Sequence, residues 1–314
     1  MGDTYNDTPE NLRVFYCWQG DLPKSTNSTF IKTAIKDAIE EIKEETEKEK
    51  LNKVNGCHFA YPIEYMDSSI NICGSQVWPL RIFENISDSD VFIADLSFVS
   101  CYRTHDGRHK SISNANVMLE IGMAFGTIGR ERVIGVFNEA YGKLDNLPTD
   151  FSGTEYPVRY FLKANASSES ELEQKKQLIK SIKWNIHQAL ENTLKKAKKV
   201  ADRLNQFELS TLLNVFSIKE CGGIENDDAD RAKIRDAIKR AIQIEREEFK
   251  NGDEISPDAI EELRYMVLDG LISKGVLWTR HQWDNGDYAY SYRLTSIGKL
   301  VLKIIHKGDH QKSN

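Results

Sequence analysis

"DVFIADLS" (Asp90–Ser97) decides the fold. Val91, Phe92, Ile93 and Ala94 follow one another with no polar residue between them. A strand with one wet face alternates apolar and polar side chains, whereas one covered on both faces does not. The stretch therefore reads as a buried strand of a parallel sheet sandwiched between helices.

The same rhythm extends outward. On the N-terminal side, "RVFYCW" (Arg13–Trp18) reads as a strand, followed by the polar loop "QGDLPKSTNS". In "TFIKTAIKDAIEEIKEETEKEK", Phe30, Ile31, Ala34, Ile35, Ala38, Ile39 and Ile42 recur at helical spacing, with Ser28 or Asn27 as the cap. "CHFAYPIEYMD" is a weaker strand and "VWPLRIFENIS" a helix starting near Pro79. On the C-terminal side, "FVSCYRTHDGRHKSISN" reads as a loop, "SNANVMLEIGMAFG" (Ser113–Gly126) as a helix, and "RVIGVFN" and "VRYFL" as strands. Strands alternating with helices predict a flavodoxin-like five-stranded parallel sheet, ordered 2-1-3-4-5, with helices on both faces. Ligands of such sheets bind outside the carboxyl ends of the strands. The loops at 18–26, 67–77 and 96–115 fall at that edge.

A chain of 314 residues is long for one core and suits two domains. Residues 1–12 read as a flexible tail, 13–163 as the α/β domain, 164–204 as a connecting helix, 205–307 as a second domain and 308–314 as a tail. The second domain has three helical segments. Two aromatic-rich strands follow around Asn285-Gly286, then a last helix, "SIGKLVLKIIH". Helices followed by a hairpin describe a winged-helix-like domain.

Composition excludes several classes. The chain is 40% hydrophobic and 29% charged, with a net charge of -6. A mildly acidic total gives no general attraction to nucleic acid or anionic membrane. No apolar run approaches a membrane span, and "MGDTYNDTPENLR" has neither a signal-peptide core nor a convincing myristoylation pattern. Cys17, Cys57, Cys73, Cys101 and Cys221 are scattered and form no CxxC pair. A disulfide framework or zinc site is not expected, and a reducing, cytoplasmic setting fits.

Glu120 is the lone charge in its helix. Either it belongs to a narrow solvent-facing stripe with Asn116 and Thr127, or it faces a cleft at the sheet's carboxyl edge, one turn from Asn116. An unpaired carboxylate buried there would cost several kcal/mol or take up a proton. Other candidates carry alternatives of their own. Trp18 stacks on a ligand ring or packs at the sheet edge; Gln19 is placed to bond an amide; Asp21 is a ligand group or a turn residue. Asp67 and Ser75 are placed to bond ribose or phosphate. Asp95 orients a ligand group or caps the following turn. Arg103, His105, Arg108, His109 and Lys110 form either a phosphate clamp or a solvated mobile loop. No metal site is expected, since these histidines lack a helical scaffold.

"ADLS", then a loop, then "NANVMLEIGMAFGTIGRERVIGVFN" resembles the shared core of prokaryotic TIR-like nucleotide-binding domains and nucleoside deoxyribosyltransferases. "FYCWQGDLP", "YMDSSINICGS" and "FNEAYGKLDNLPTDF" resemble further segments of the TIR-like branch. The likeness covers residues 13–162. Cys17 stands where Ser is usual, Ala115 where Pro is, Ile121 where Leu is, and Gln76-Val77 where Pro-Asp is. The resemblance implies an N-glycosidase with Glu120 at its centre, acting on NAD(P) as substrate rather than cofactor, in antiviral or stress defence. It also implies a homo-oligomer, which we assign to the C-terminal domain. A nucleotide sensor without catalysis, and a deoxyribosyltransferase, are the alternatives. A transcription regulator ranks last, because "SPDAIEELRYMVLDGLISK" is acidic where DNA binding needs Lys and Arg.

Overall fold

The structure, a computed structural model, describes residues 12–52, 63–67, 78–147, 157–216, 224–225, 228–249, 256–284, 287–295, 297–302 and 304–305. It divides into two compact units, Met1–Asn192 and Thr193–Asn314.

The first unit is built on a five-stranded sheet. In chain order it contains β1 (Leu12–Cys17), α1 (Ser28–Asn52), β2 (Ile63–Asp67), α2 (Trp78–Ser87) and β3 (Val91–Asp95). Next come β4 (Phe98–Arg103), β5 (His109–Ser113), α3 (Ala115–Thr127), β6 (Val133–Asn138), β7 (Val158–Tyr160) and α4 (Ser168–Ala201), whose residues from Thr193 on fall in the second unit. The sheet order is β2-β1-β3-β6-β7, and every neighbouring pair is parallel. This is the expected topology, with β6 and β7 as its fourth and fifth strands.

Two cores explain the unbroken apolar runs. Val14, Tyr16, Val91, Ile93, Ile134 and Val136 pack with Ile31 and Ile35 of α1 and with Leu178, Ile182 and Ile186 of α4. The intervening residues Phe15, Cys17, Phe92, Ala94 and Phe137 pack with Ile86 of α2 and with Val117, Ile121 and Ala124 of α3. Successive strand residues point to opposite faces, so a strand covered twice must be apolar at every position. Phe15 and Phe92 stack at 5.7 Å in the second core. Full burial of such a side chain stabilises the fold by about 1.5–3 kcal/mol.

One expectation is overturned. Residues 98–113 are not a mobile loop but an antiparallel hairpin, β4 with β5. Its root is anchored: Phe98 meets Phe137 edge-on at 5.0 Å, and the Ser113 hydroxyl donates to the Leu96 carbonyl at 2.7 Å. Its tip is organised by Thr104 and Arg108, which both donate to Asp106, while Gly107 takes a φ of +83°. Gly142 approaches from the other side with a φ of +146°, where an added Cβ would lie 2.7 Å from Phe98.

The second unit contains α5 (Gln206–Val215), β8 (Ile224–Glu225), α6 (Asp228–Phe249), α7 (Pro257–Ser273), β9 (Leu277–Asp284) and β10 (Asp287–Leu294). A helical segment over 297–302 follows. Its sheet runs β8-β10-β9 and is antiparallel throughout. The expected hairpin exists, and Asp284 pairs with Asp287. Its turn, Asn285-Gly286, lies outside the described residues. Within this unit the buried Glu208 of α5 accepts from Lys274 at 2.6 Å, just beyond the end of α7. Among the described residues, no helix is long and apolar enough to cross a membrane.

Candidate functional site

The site follows from how α3 begins. Asn114 precedes the helix, and its Oδ1 accepts from the backbone N–H groups of Asn116 and Val117. Such a cap satisfies donors that no helical carbonyl can reach. The Asn114 side-chain amide also donates to Asp21 at 2.6 Å, tying the start of α3 to the loop after β1. Gly129, with a φ of +92°, follows the helix end and donates to the Ala124 carbonyl.

This placement brings Glu120 to the carboxyl end of β1. The exposed face of α3 is formed by Ala115, Asn116, Leu119, Gly122 and Gly126, while Glu120 is half-buried. Glu120 thus lies between the exposed and buried sides of α3, and Thr127 of the same stripe is likewise half-buried. The Glu120 carboxylate neighbours the thiol of Cys17, the last residue of β1. Burial raises the Glu120 carboxyl above its ordinary value, and the neighbouring Cys17 thiol draws it partly back. Burial and then the charge of Glu120 push the Cys17 thiol well up. The thiol therefore stays protonated.

Asp95 ends β3 and is fully buried. It accepts from Gln19 at 3.1 Å, from Asn27 at 3.2 Å and from the Ser97 backbone at 3.0 Å. Burial raises its carboxyl, and these neutral donors oppose the shift. Gln19 is spent on the same structure: its carbonyl oxygen accepts from the backbone of Asp21 and Leu22. Asn27 does not act as the side-chain cap of α1, because Asp95, Asn138 and Thr26 engage it. Asn138 continues the network to the Thr26 carbonyl and to both backbone groups of Leu162. Tyr160 adds a bond to the same Thr26 carbonyl at 2.6 Å. Sequence reading missed Asn114, Asn138 and Tyr160 as organisers of this edge. Their positions at strand ends and a helix start were the available signal.

The remaining candidates separate. Trp18 is half-buried against the core formed with α1 and α4, not the one holding Cys17. Asp67 ends β2, nearly inaccessible, and pairs with Lys32 of α1 at 2.6 Å and with the Tyr65 hydroxyl at 2.8 Å. Asn116 is exposed one turn before Glu120, and Asp21 is exposed in the β1 loop. Ser75 lies outside the described residues. The structure thus places Glu120 beside Cys17, joins Asp21 to Asn114 and Gln19 to Asp95, and assigns Gln19, Asp67 and Asp95 internal partners. His105 and His109 are exposed on the β4–β5 hairpin. Among the described residues, no group of three or more His, Cys, Asp or Glu side chains could hold a metal ion.

No known protein family matches this chain, and no characterised protein matches it in sequence.

Proposed function

We propose that the first unit is an N-glycosidase that cleaves the nicotinamide–ribose bond of NAD(P), with Glu120 as its reactive carboxylate. One observation carries the reading: a half-buried carboxylate, raised by burial, stands at the carboxyl end of a parallel strand. That edge is where open α/β sheets take ligands. Breaking a bond from ribose C1′ to a base builds positive charge on the sugar, as in glycoside cleavage. A carboxylate about 4 Å away supplies roughly 4 kcal/mol at an effective dielectric near 20. That is on the order of a thousandfold in rate where the transition state alone feels it. Nicotinamide suits the step because it departs as a neutral base.

The TIR-like resemblance supports the same reading and adds a cytoplasmic defence role. The winged-helix-like assignment of the second unit belongs to this proposal, as does homo-oligomer formation through it. The exposed side of α7 carries Asp258, Glu262 and Asp269 beside Tyr265 and Met266. Such a face disfavours DNA phosphates and favours a protein contact.

The purified 314-residue chain is incubated with NAD and NADP, and free nicotinamide is followed. Turnover that Glu120→Gln abolishes is the expected result; turnover undiminished in that variant overturns the assignment.

A second reading has its own support. Gln19, Asp67 and Asp95 are all committed to internal partners. A nucleotide sensor that binds without cleaving needs fewer free polar groups than an enzyme. Stoichiometric binding of intact NAD with no product would select it. Base exchange on a deoxynucleoside, with NAD inert, would select a deoxyribosyltransferase.

A further inference from the structure

We propose, resting on the reading of the first unit as a dinucleotide glycosidase, that Lys32 and Lys36 form a phosphate subsite beside the end of β2, which makes the 2′-phosphorylated dinucleotide NADP the preferred substrate. In dinucleotide sites a carboxylate bonds the ribose 2′-hydroxyl of NAD, whereas a cation nearby accommodates the 2′-phosphate of NADP. Asp67 has the position for the first role but not the freedom. Its side chain is 1% exposed, and one of its oxygens accepts from the Lys32 ammonium at 2.6 Å and from the Tyr65 hydroxyl at 2.8 Å. The α1 side chains beside it that reach solvent are cations: Lys32 is 37% exposed, and Lys36 is exposed.

The fold brings the two ammonium groups to one ring. Lys32 and Lys36 are four residues apart in α1 and so share a face of the helix. The Lys36 Nζ lies 5.0 Å from the centre of the Tyr65 ring, and the Lys32 Nζ lies 5.6 Å from it. Both distances fall within cation–π range. Like charges at this helical spacing destabilise one another. Asp67 offsets the first; among the described residues no carboxylate pairs with Lys36. An ammonium carries three N–H donors, and one of those on Lys32 goes to Asp67. The pair therefore offers an anion further donors and one uncompensated charge.

Place in the sheet selects which phosphate. Cys17, at the end of β1, packs in one core with Val117 and Ile121, the residues beside Glu120 in α3. β2 is the edge strand next to β1, and Asp67 is in register with Tyr16. Its end is thus one strand spacing, about 4.8 Å, further out. With the cleaved ribose at Glu120, the outer position meets the far part of the dinucleotide, where the adenosine ribose carries the 2′-phosphate. The pyrophosphate lies between the two riboses.

Titration calorimetry of the 314-residue chain tests the subsite without turnover. The probes are adenosine 2′,5′-bisphosphate and adenosine 5′-monophosphate. The bisphosphate binds about tenfold tighter to wild type, the effect of one hydrogen bond to a charged group. Lys36→Met keeps the apolar stem, and circular dichroism checks its fold. It loses about tenfold for the bisphosphate and nothing for the monophosphate, while Lys36→Arg keeps both affinities. Nicotinamide release gives a second readout: kcat/KM is about tenfold higher for NADP than for NAD in wild type, and Lys36→Met removes the difference. Equal or undetectable binding of the two probes by wild type overturns the subsite. So does a loss in Lys36→Met that falls equally on both. The two readings fail separately. If the bisphosphate binds as expected but NADP releases no nicotinamide, the subsite stands and the cleavage reading falls. If NAD and NADP are cleaved equally well by wild type and Lys36→Met, the cleavage stands and the subsite falls.

Discussion

Asn114 holds Asp21 at 2.6 Å with one end of its amide and caps α3 with the other. One side chain thus fixes both the helix that carries Glu120 and the loop that follows β1. Asn114→Ala removes both bonds. Loss of the cap costs about 1 kcal/mol, and freeing the loop adds to it. Asp21→Ala keeps the cap and costs less. Urea denaturation of the two variants, side by side, measures the difference.

Glu120→Gln separates stability from activity. Burial holds the folded-state carboxyl above its ordinary value of 4.5. The folded protein therefore binds this proton more tightly than the unfolded chain. The contribution is full below the ordinary carboxyl range and is lost as pH rises through the raised folded value. Glutamine does not titrate and is close to glutamate in size and shape. Relative to wild type, Glu120→Gln gains stability as pH rises from about 4, then levels off above the raised value. Denaturation midpoints across a pH series check this, and parallel curves would contradict it.

Asp95→Asn is expected to be costly without any exposed change. The carboxylate accepts from Gln19, Asn27 and the Ser97 backbone, all donors. An amide there must point its own NH2 at one of them. The mismatch costs about 2 kcal/mol or more. Thermal melting reads the loss.

Tyr16→Phe runs the other way. The Tyr16 hydroxyl is fully buried and has no hydrogen-bond partner among the described residues. An unsatisfied buried hydroxyl costs about 1–3 kcal/mol. Its removal raises stability by about 1 kcal/mol, or roughly 2–4 °C in Tm for a chain of this size. A melting curve decides.

Lys32→Met takes the cation from the nearly inaccessible Asp67 while the Tyr65 hydroxyl still donates to it, and urea denaturation reads the loss. The loss of a cation beside a buried carboxylate costs about 2 kcal/mol, less than the 3–5 kcal/mol of a fully buried pair. Lys32 is 37% exposed, which is why the smaller figure applies.

The strands were legible where burial on both faces left an unbroken apolar run, as at Val91–Ala94. The β4–β5 hairpin was not, because Ser100, Cys101, Arg103, Lys110 and Ser111 make its strands as polar as a loop. Its one clear mark was Asp106-Gly107, a turn dipeptide between two short stretches containing β-branched or aromatic residues. Periodicity left Glu120 either on a stripe with Asn116 and Thr127 or facing a cleft at the sheet's carboxyl edge, because spacing alone does not say how a helix is rotated against its sheet. The internal roles of Gln19 and Asp67 were hidden for a different reason. Their partners Asp95 and Lys32 lie 76 and 35 residues away in the chain. Spacing within a motif carries no record of such distant pairings.

The Asp95–Asn27–Asn138 network has a thermodynamic consequence. It freezes the ends of β3 and β6 and the start of α1 while the chain folds, so the loss of conformational entropy there precedes any encounter. A guest arriving at this rim has little left to organise. Its heat-capacity change will then track the apolar area it covers itself, rather than the ordering of its host.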